Sequence, residues 1–286
     1  MAREMDVPVV ETYHTFFEEY LHHYLPLLPR FAARTVARAI SRRQCNAVDA
    51  VIAPSRQLAD VLKRYGVTVP VEVIPTGLDL EDFTGGDGCR FRDRFRIAPE
   101  RPLMVLVSRV AHEKNIGFLL DVLAEVRETI ADVLFVIAGE GPARPSLERR
   151  VTAKGLGANV LFVGYLDRGS ALLDCYLAAN VFVFASRTET QGLVLLEAMA
   201  LGTPVVSTAV LGTREVLEGA KGVVVVEEDR AQFARAVVDV LGNAARRQVL
   251  GAEAREFVAT RWSSAEMARR VVALYRRQSA EAVGER

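Results

Sequence analysis

The stretch Val181-Phe-Val-Phe-Ala-Ser-Arg-Thr-Glu189-Thr-Gln-Gly192-Leu-Val-Leu-Leu-Glu197-Ala-Met-Ala-Leu-Gly-Thr-Pro204-Val-Val-Ser207 decides the fold class of this chain. Val181 to Ala185 is a short β-branched and aromatic run, an apolar helical pattern follows Gly192, and Pro204 to Ser207 is a second short strand. Strand, helix and strand in that order make a βαβ unit, because parallel neighbours need a crossover of about a dozen residues or more.

Working outward, the same alternation fills the chain. Candidate strands are Pro8 to Thr12, Ala50 to Ala53, Val71 to Ile74, Leu103 to Ser108, Val133 to Ala138, Val160 to Val163, Val181 to Ala185, Pro204 to Ser207 and Gly222 to Val225, with helical patterns in most gaps. Repeated βαβ units predict an α/β fold with mostly parallel sheets. A boundary is placed between Ile74 and Arg101, where Pro75-Thr-Gly-Leu-Asp is followed by Gly85-Gly-Asp-Gly88, turn formers without an apolar period. Residues 76–262 then hold enough strands for a complete doubly wound, Rossmann-like domain. Residues 1–75 hold too few, and are read as the C-terminal part of another Rossmann-like domain with sheet edges open. Residues 263–286 read as a crossover helix, with Met267, Val271, Val272 and Tyr275 at helical spacing, expected to lie across both parts.

At 286 residues and half hydrophobic, the chain can bury a real core. Its 36 basic and 36 acidic side chains cancel, which argues against general nucleic-acid binding and leaves any anionic ligand to be met locally. No apolar run approaches the ~18 residues that span a bilayer. Met1 to Pro8 meets charges and a proline before any apolar stretch, so no secretory signal is expected. Cys45, Cys89 and Cys175 are too scattered for a zinc site or disulfide framework, and a reducing cytoplasm is the expected compartment.

Two strand-end loops carry the chemistry. After Val181 to Ala185, Gly192 permits close backbone approach, and the free N–H groups of the helix start offer an anion site that suits a diphosphate. Glu197 falls inside the first turns, where a buried acid is costly unless satisfied, and a ribose diol is a suitable partner. Glu189, in the loop, would face a reacting sugar. The plainer account is two solvated acids near a helix start, where the macrodipole favours negative charge. After the strand from Leu103 comes Ser108-Arg-Val-Ala-His-Glu-Lys-Asn115, in which the Arg109 fork and the Lys114 ammonium suit a leaving diphosphate as it gains charge. The plainer account there is a surface salt bridge to Glu113.

Together these stretches resemble the retaining, two-domain GT-B glycosyltransferases of the group 1 or family 4 type, which include glycogen and sucrose-phosphate synthases and many bacterial lipid and polysaccharide glycosyltransferases. The resemblance rests on Glu189 and Glu197 with seven residues between them, followed by Ala198-Met-Ala-Leu-Gly-Thr-Pro204, with Ala138-Gly-Glu-Gly-Pro142 and Phe162-Val-Gly-Tyr165 in the family's order. It implies a nucleotide-sugar donor, with Arg109 and Lys114 on the diphosphate and the backbone of Gly164, Tyr165 and Leu166 on the base. Glu197 would hold the ribose hydroxyls, while Glu189, Thr190, Gln191, Gly192 and Leu193 would surround the donor sugar. It also implies retention at the anomeric carbon. No metal or other cofactor is expected, since no acidic cluster suited to magnesium is visible and two cations can balance the diphosphate. Where the family reads Glu-Gly-Phe-Gly, this chain has Glu189-Thr-Gln-Gly192, as in bacterial diacylglycerol glucosyltransferases. The family opens with a glycine-rich strand and helix beside the acceptor, and that unit is expected ahead of Met1, so the acceptor side is read as incomplete.

The segment Val9-Val-Glu-Thr-Tyr-His-Thr-Phe-Phe-Glu-Glu-Tyr-Leu-His-His-Tyr24 resembles the matching part of those glucosyltransferases and implies that His14, at a strand end, lies beside the donor sugar. By itself, a histidine among aromatics reads as a satisfied core residue. His22 and His23 are placed on a helix with Tyr20 and Tyr24; adjacent residues there point about 100° apart, which argues against joint metal ligation. Arg30, Arg34, Arg38 and Arg42 follow at fourfold spacing, with no acid between Pro29 and Gln44. This basic stripe either meets an anionic membrane surface or is a solvated helix face paired with acids elsewhere in the fold.

The expected function is transfer of a hexose, glucose from UDP-glucose, to a lipid or glycan hydroxyl by a cytoplasmic enzyme peripheral on the inner face of the plasma membrane. The alternative is a non-catalytic nucleotide-sugar-binding module.

Overall fold

The computed structural model describes residues 7–14, 18 and 29–284, and the chain divides into two compact units. The first takes the chain up to Gly77, the short segment Thr188–Gln191 and everything from Ser264 onward; the second takes Leu78–Arg187 and Gly192–Ser263.

In the first unit, β1 (Val10–Thr12), α1 (Arg30–Cys45), β2 (Ala50–Ala53), α2 (Arg56–Arg64) and β3 (Val71–Val73) form a parallel sheet in the order β1-β2-β3. Side chains alternate along a strand, so Val51 and Ala53 join one apolar cluster with Tyr13, Cys45, Leu58 and Leu62. Ala50 and Ile52 join the opposite one with Ile74, Met267 and Leu274. Cover on both faces explains why this strand reads as continuously apolar. The helix α1 turns Ala33, Ala37, Ser41 and Cys45 inward, at the spacing of one helical face. The segment Thr188–Gln191 is tied in through Gln191: its buried amide accepts from the Thr76 N–H at 2.9 Å and donates to the Thr76 carbonyl at 2.7 Å.

The second unit continues with α3 (Gly88–Arg94), β4 (Leu103–Val107), α4 (Ile116–Thr129), β5 (Leu134–Ala138), α5 (Arg144–Ala153), β6 (Val160–Gly164), α6 (Ser170–Ala178), β7 (Val181–Phe184), α7 (Leu193–Ala200), β8 (Val205–Ser207), α8 (Gly212–Leu217), β9 (Val223–Val225), α9 (Arg230–Gly242) and α10 (Ala244–Arg261). Its strands are all parallel in the order β6-β5-β4-β7-β8-β9. This is the doubly wound α/β order, in which winding reverses between β4 and β7 and leaves a crevice at their C-terminal ends. The nine strands match the sequence-based expectation to within two residues at each end. The Leu78 N–H donates to the Trp262 carbonyl at 2.7 Å, so the chain enters and leaves this unit side by side.

The last helix, α11 (Ser264–Gly284), packs on the first unit through Met267, Val271 and Leu274. Of the positions expected on its apolar stripe, Val272 and Tyr275 are exposed instead. Residues 267, 271, 274 and 278 share one face of a 3.6-residue helix, while 275 lies about 70° and 272 about 130° round from its centre. No helix of the described residues is long and apolar enough to cross a membrane.

One buried cation locks the base of the second unit. Arg92, on α3, donates to the carbonyls of Ala98 and Arg101 (both 2.9 Å) and Ala178 (2.8 Å), and to the Asn180 side-chain oxygen (3.3 Å). Arg92→Met should fill the space yet leave these acceptors unsatisfied, lowering stability by about 3 kcal/mol or more in urea unfolding. Gln191→Leu should cost about 1–3 kcal/mol by the same measurement, because both Thr76 backbone groups lose their partner. Gln191→Glu should be no milder at neutral pH, since a carboxylate has no proton for the Thr76 carbonyl.

Candidate functional site

The crevice of the second unit is shaped by backbone bonds between successive strand ends. The Ser108 N–H donates to the Ala138 carbonyl (3.0 Å), that of Val110 to Glu140 (2.9 Å) and that of Gly139 to Gly164 (2.7 Å). Such close lacing needs glycine: at Gly139, with φ 131°, an added Cβ would lie 1.9 Å from the Ser108 oxygen. On this platform Arg109 is exposed, and Lys114 is half-buried at the end of a short turn before Asn115, whose left-handed φ of 55° opens α4.

Arg109 Nη2 lies 2.5 Å from Glu113 Oε1, so the salt bridge of the plainer account is present. Burial alone pushes the Glu113 carboxyl up, but a backbone N–H, Arg109 and Lys114 outweigh it and hold the group below its ordinary value. The carbonyl of Glu113 accepts from the Arg187 N–H (3.2 Å) and from Ser186 Oγ (3.4 Å), which joins the loop after β4 to the loop after β7 across the reversal of winding. Arg187 in turn pairs with Glu228, Nε to Oε2 at 2.9 Å.

At the other side of this junction Gly192, at φ 91°, leads into α7, and Leu193 is its first, half-buried residue. Glu197 is 5% exposed, among Leu195, Leu196, Ala198 and Met199, which are fully buried. The Tyr176 hydroxyl donates to Glu197 Oε2 at 2.7 Å. On the other oxygen, Arg168 Nη2 stands 3.8 Å from Oε1, with its side chain 81% exposed. Burial, and then the Glu197 charge, push the Tyr176 hydroxyl well above its ordinary value.

The remaining expected residues are distributed as follows. Gly164 closes β6, Tyr165 is exposed and Leu166 is buried. Glu189 and Thr190 are half-buried in the segment that belongs to the first unit, and so is the exposed His14, two residues past β1. The Gln191 side chain is committed to Thr76. On α1, Arg38 grips Glu18 through two nitrogens (3.1 and 2.5 Å), and Arg34 lies 3.8 Å from it. Tyr65 also donates to Glu18. That is the pairing foreseen for a solvated face, whereas Arg42 is exposed and lies over Gly66. The Arg30 side chain, Tyr20, His22, His23 and Tyr24 lie outside the described residues. Sequence reasoning did not find Tyr176, Arg168 or Thr76. Tyr176 sits in an apolar helical run and reads as core, and no local signal marks where its hydroxyl points.

The family described as Glycosyl transferases group 1 matches residues 90–257, and that described as Glycosyltransferase Family 4 matches residues 1–82. Among curated proteins, the chain is 34% identical over 212 residues to the alpha-monoglucosyldiacylglycerol synthase of Streptococcus pneumoniae, covering 72% of this chain and 47% of that protein. It is 30% identical over 214 residues to the enzyme of the same name from Acholeplasma laidlawii, covering 72% and 54%. The chain thus spans about half the length of these relatives. Among solved structures, sucrose-phosphate synthase from Thermosynechococcus elongatus aligns with a TM-score of 0.80 at 26% identity, covering 95% of this chain and 68% of that one. With the first family match spanning more than half of the sequence, and a solved relative sharing the fold, the chain belongs to the group 1 glycosyl transferases and has the α/β, GT-B type of fold.

Proposed function

We propose that this chain carries the donor side of a retaining hexosyltransferase that moves glucose from UDP-glucose to a hydroxyl of a lipid or glycan. The observation that carries this reading is the junction in the second unit where the Glu113 carbonyl ties the Arg109–Lys114 loop to the loop leading into α7. Two cations and a helix start then serve one diphosphate. As the bond from the anomeric carbon to the diphosphate breaks, fixed positive groups stabilise the charge that develops on the leaving oxygen. Arg109 exchanges Glu113 for phosphate, a partner that its planar fork matches in two bonds.

In this reading the backbone of Gly164 to Leu166 holds the base and Glu197 the ribose diol. Glu189, Thr190, His14 and the backbone of Gln191, Gly192 and Leu193 orient the sugar as positive charge grows at its anomeric carbon. The reaction uses no metal or other cofactor. The names of the two glucosyldiacylglycerol synthases support glucose as the sugar and a diacylglycerol-type lipid as the acceptor. Retention is carried over from the family resemblance.

An anionic membrane surface belongs to the same reading. On α1, Phe31 is 76% and Ile40 52% exposed, and Arg42 and Arg43 are exposed with them. Each such cation is worth about 1 kcal/mol near an anionic leaflet. This would place the protein on the inner face of the plasma membrane.

UDP release from UDP-glucose should rise with diacylglycerol over sugar alcohols and over water, and the anomeric proton coupling of the product should match that of the donor. Binding of UDP without turnover on any acceptor would instead leave a nucleotide-sugar-binding module. Glu189→Gln should keep UDP affinity within a few-fold and abolish transfer; an unchanged rate would remove Glu189 from the site. Sedimentation with phosphatidylglycerol vesicles should be strong at low salt and weak at high salt, and Arg42→Glu with Arg43→Glu should reduce it. No difference from phosphatidylcholine vesicles would make the stripe a solvated face.

A further inference from the structure

Helix α7 buries Leu195, Leu196, Ala198 and Met199 completely, and Glu197 is an acid set in the middle of that apolar surface. A carboxylate there costs several kcal/mol in lost hydration unless its oxygens are satisfied. An apolar side chain of similar volume would avoid that cost, so packing alone does not account for the choice of residue. The two oxygens of Glu197 have different surroundings. Oε2 accepts from the hydroxyl of Tyr176, a fully buried residue, whereas Oε1 lies on the side of the exposed Arg168, at 3.8 Å, beyond hydrogen-bond reach.

We infer that Tyr176 is a positioning residue for the donor: its hydroxyl fixes Glu197 Oε2 so that Oε1 is presented, already oriented, to the ribose diol. The inference rests on the assignment of Glu197 to the ribose made above. Contacts from two other parts of the fold hold the tyrosine in turn. Its ring lies against Phe182 of β7 with centroids 5.5 Å apart, its carbonyl accepts from Thr203 Oγ1 at 2.8 Å, and its hydroxyl is spent on Glu197. A fully buried phenol packed on Phe182 cannot follow the carboxylate into another rotamer, so the orientation of Glu197 is set before the ligand arrives. Preorganisation of this kind strengthens binding by removing the entropic cost of ordering the acceptor oxygen. Burial keeps the Tyr176 hydroxyl protonated, and hence a donor, across the working pH range. Arg168 adds attraction for the charge of Glu197 without fixing its direction.

The test compares UDP with 2′,3′-dideoxy-UDP by calorimetry, because only the ribose hydroxyls distinguish them. The unaltered protein should prefer UDP by about tenfold or more, the equivalent of one charge-assisted hydrogen bond. Tyr176→Phe, which removes one oxygen, should reduce that preference to about threefold or less while leaving affinity for the dideoxy compound within about twofold. Phe182→Leu, which keeps the phenol and removes the ring it packs on, should narrow the preference in the same direction and decides the matter if Tyr176→Phe does not fold. Equal affinity of the unaltered protein for both compounds would remove Glu197 from the ribose, and the proposal with it. A preference that survives both substitutions, or an equal weakening of both ligands, would overturn the positioning role alone.

Discussion

The reversal of winding between β4 and β7 is the constraint on which the rest of the second unit depends. Two neighbouring parallel strands there send their chains to opposite faces of the sheet, so no crossover helix covers the gap between their C-terminal ends. The loops that leave the two strands meet over that gap, joined by the Glu113 carbonyl to the Arg187 N–H and Ser186 Oγ. Strand spacing within the sheet thereby sets where Arg109 and Lys114 stand relative to the start of α7. The glycine at 139 lets the neighbouring β5 end come close enough to complete the platform.

Charge is handled locally throughout. The chain has no net charge, and cations near the crevice are matched to acids, Arg109 to Glu113 and Arg187 to Glu228. An anion entering such a site does not fill an empty field; it competes with a carboxylate for a guanidinium. Glu113 holds the Arg109 guanidinium in orientation, and in the donor reading proposed above a diphosphate, with more charge and better matched geometry, would displace that carboxylate. The same habit appears on α1, where Arg34 and Arg38 are drawn to Glu18 and the outward cationic face is narrower than the fourfold arginine spacing implied.

Buried polar groups join parts of each unit that are far apart in the chain. Arg92 gathers carbonyls from one loop and a helix end together with the Asn180 side chain, Gln191 matches both backbone groups of Thr76, and Tyr176 meets Glu197. Each pairing is satisfied in the direction that its donors and acceptors require, which is what makes a polar group tolerable in an apolar interior. Gln191 occupies one of the positions at which this chain departs from the family's Glu-Gly-Phe-Gly pattern. Its amide supplies one donor and one acceptor, and Thr76 presents their complement.

The amino-acid sequence by itself determined the α/β class, the nine strands and the family, because hydrophobic periodicity and the spacing of Glu189 and Glu197 are local properties of the chain. It also singled out the Arg109–Lys114 loop, since cations directly after a strand are legible without knowing what packs on them. Only the tertiary structure decided which oxygen of Glu197 is held and by what, that the Gln191 amide belongs to Thr76, and that Arg34 and Arg38 turn toward Glu18. It also exposed Val272 and Tyr275 and buried Leu274 on α11. The physical reason is the same in every case. A side chain's partner is set by packing between residues far apart in the chain, and a tyrosine in an apolar helix carries no local mark of the acid that its hydroxyl will meet.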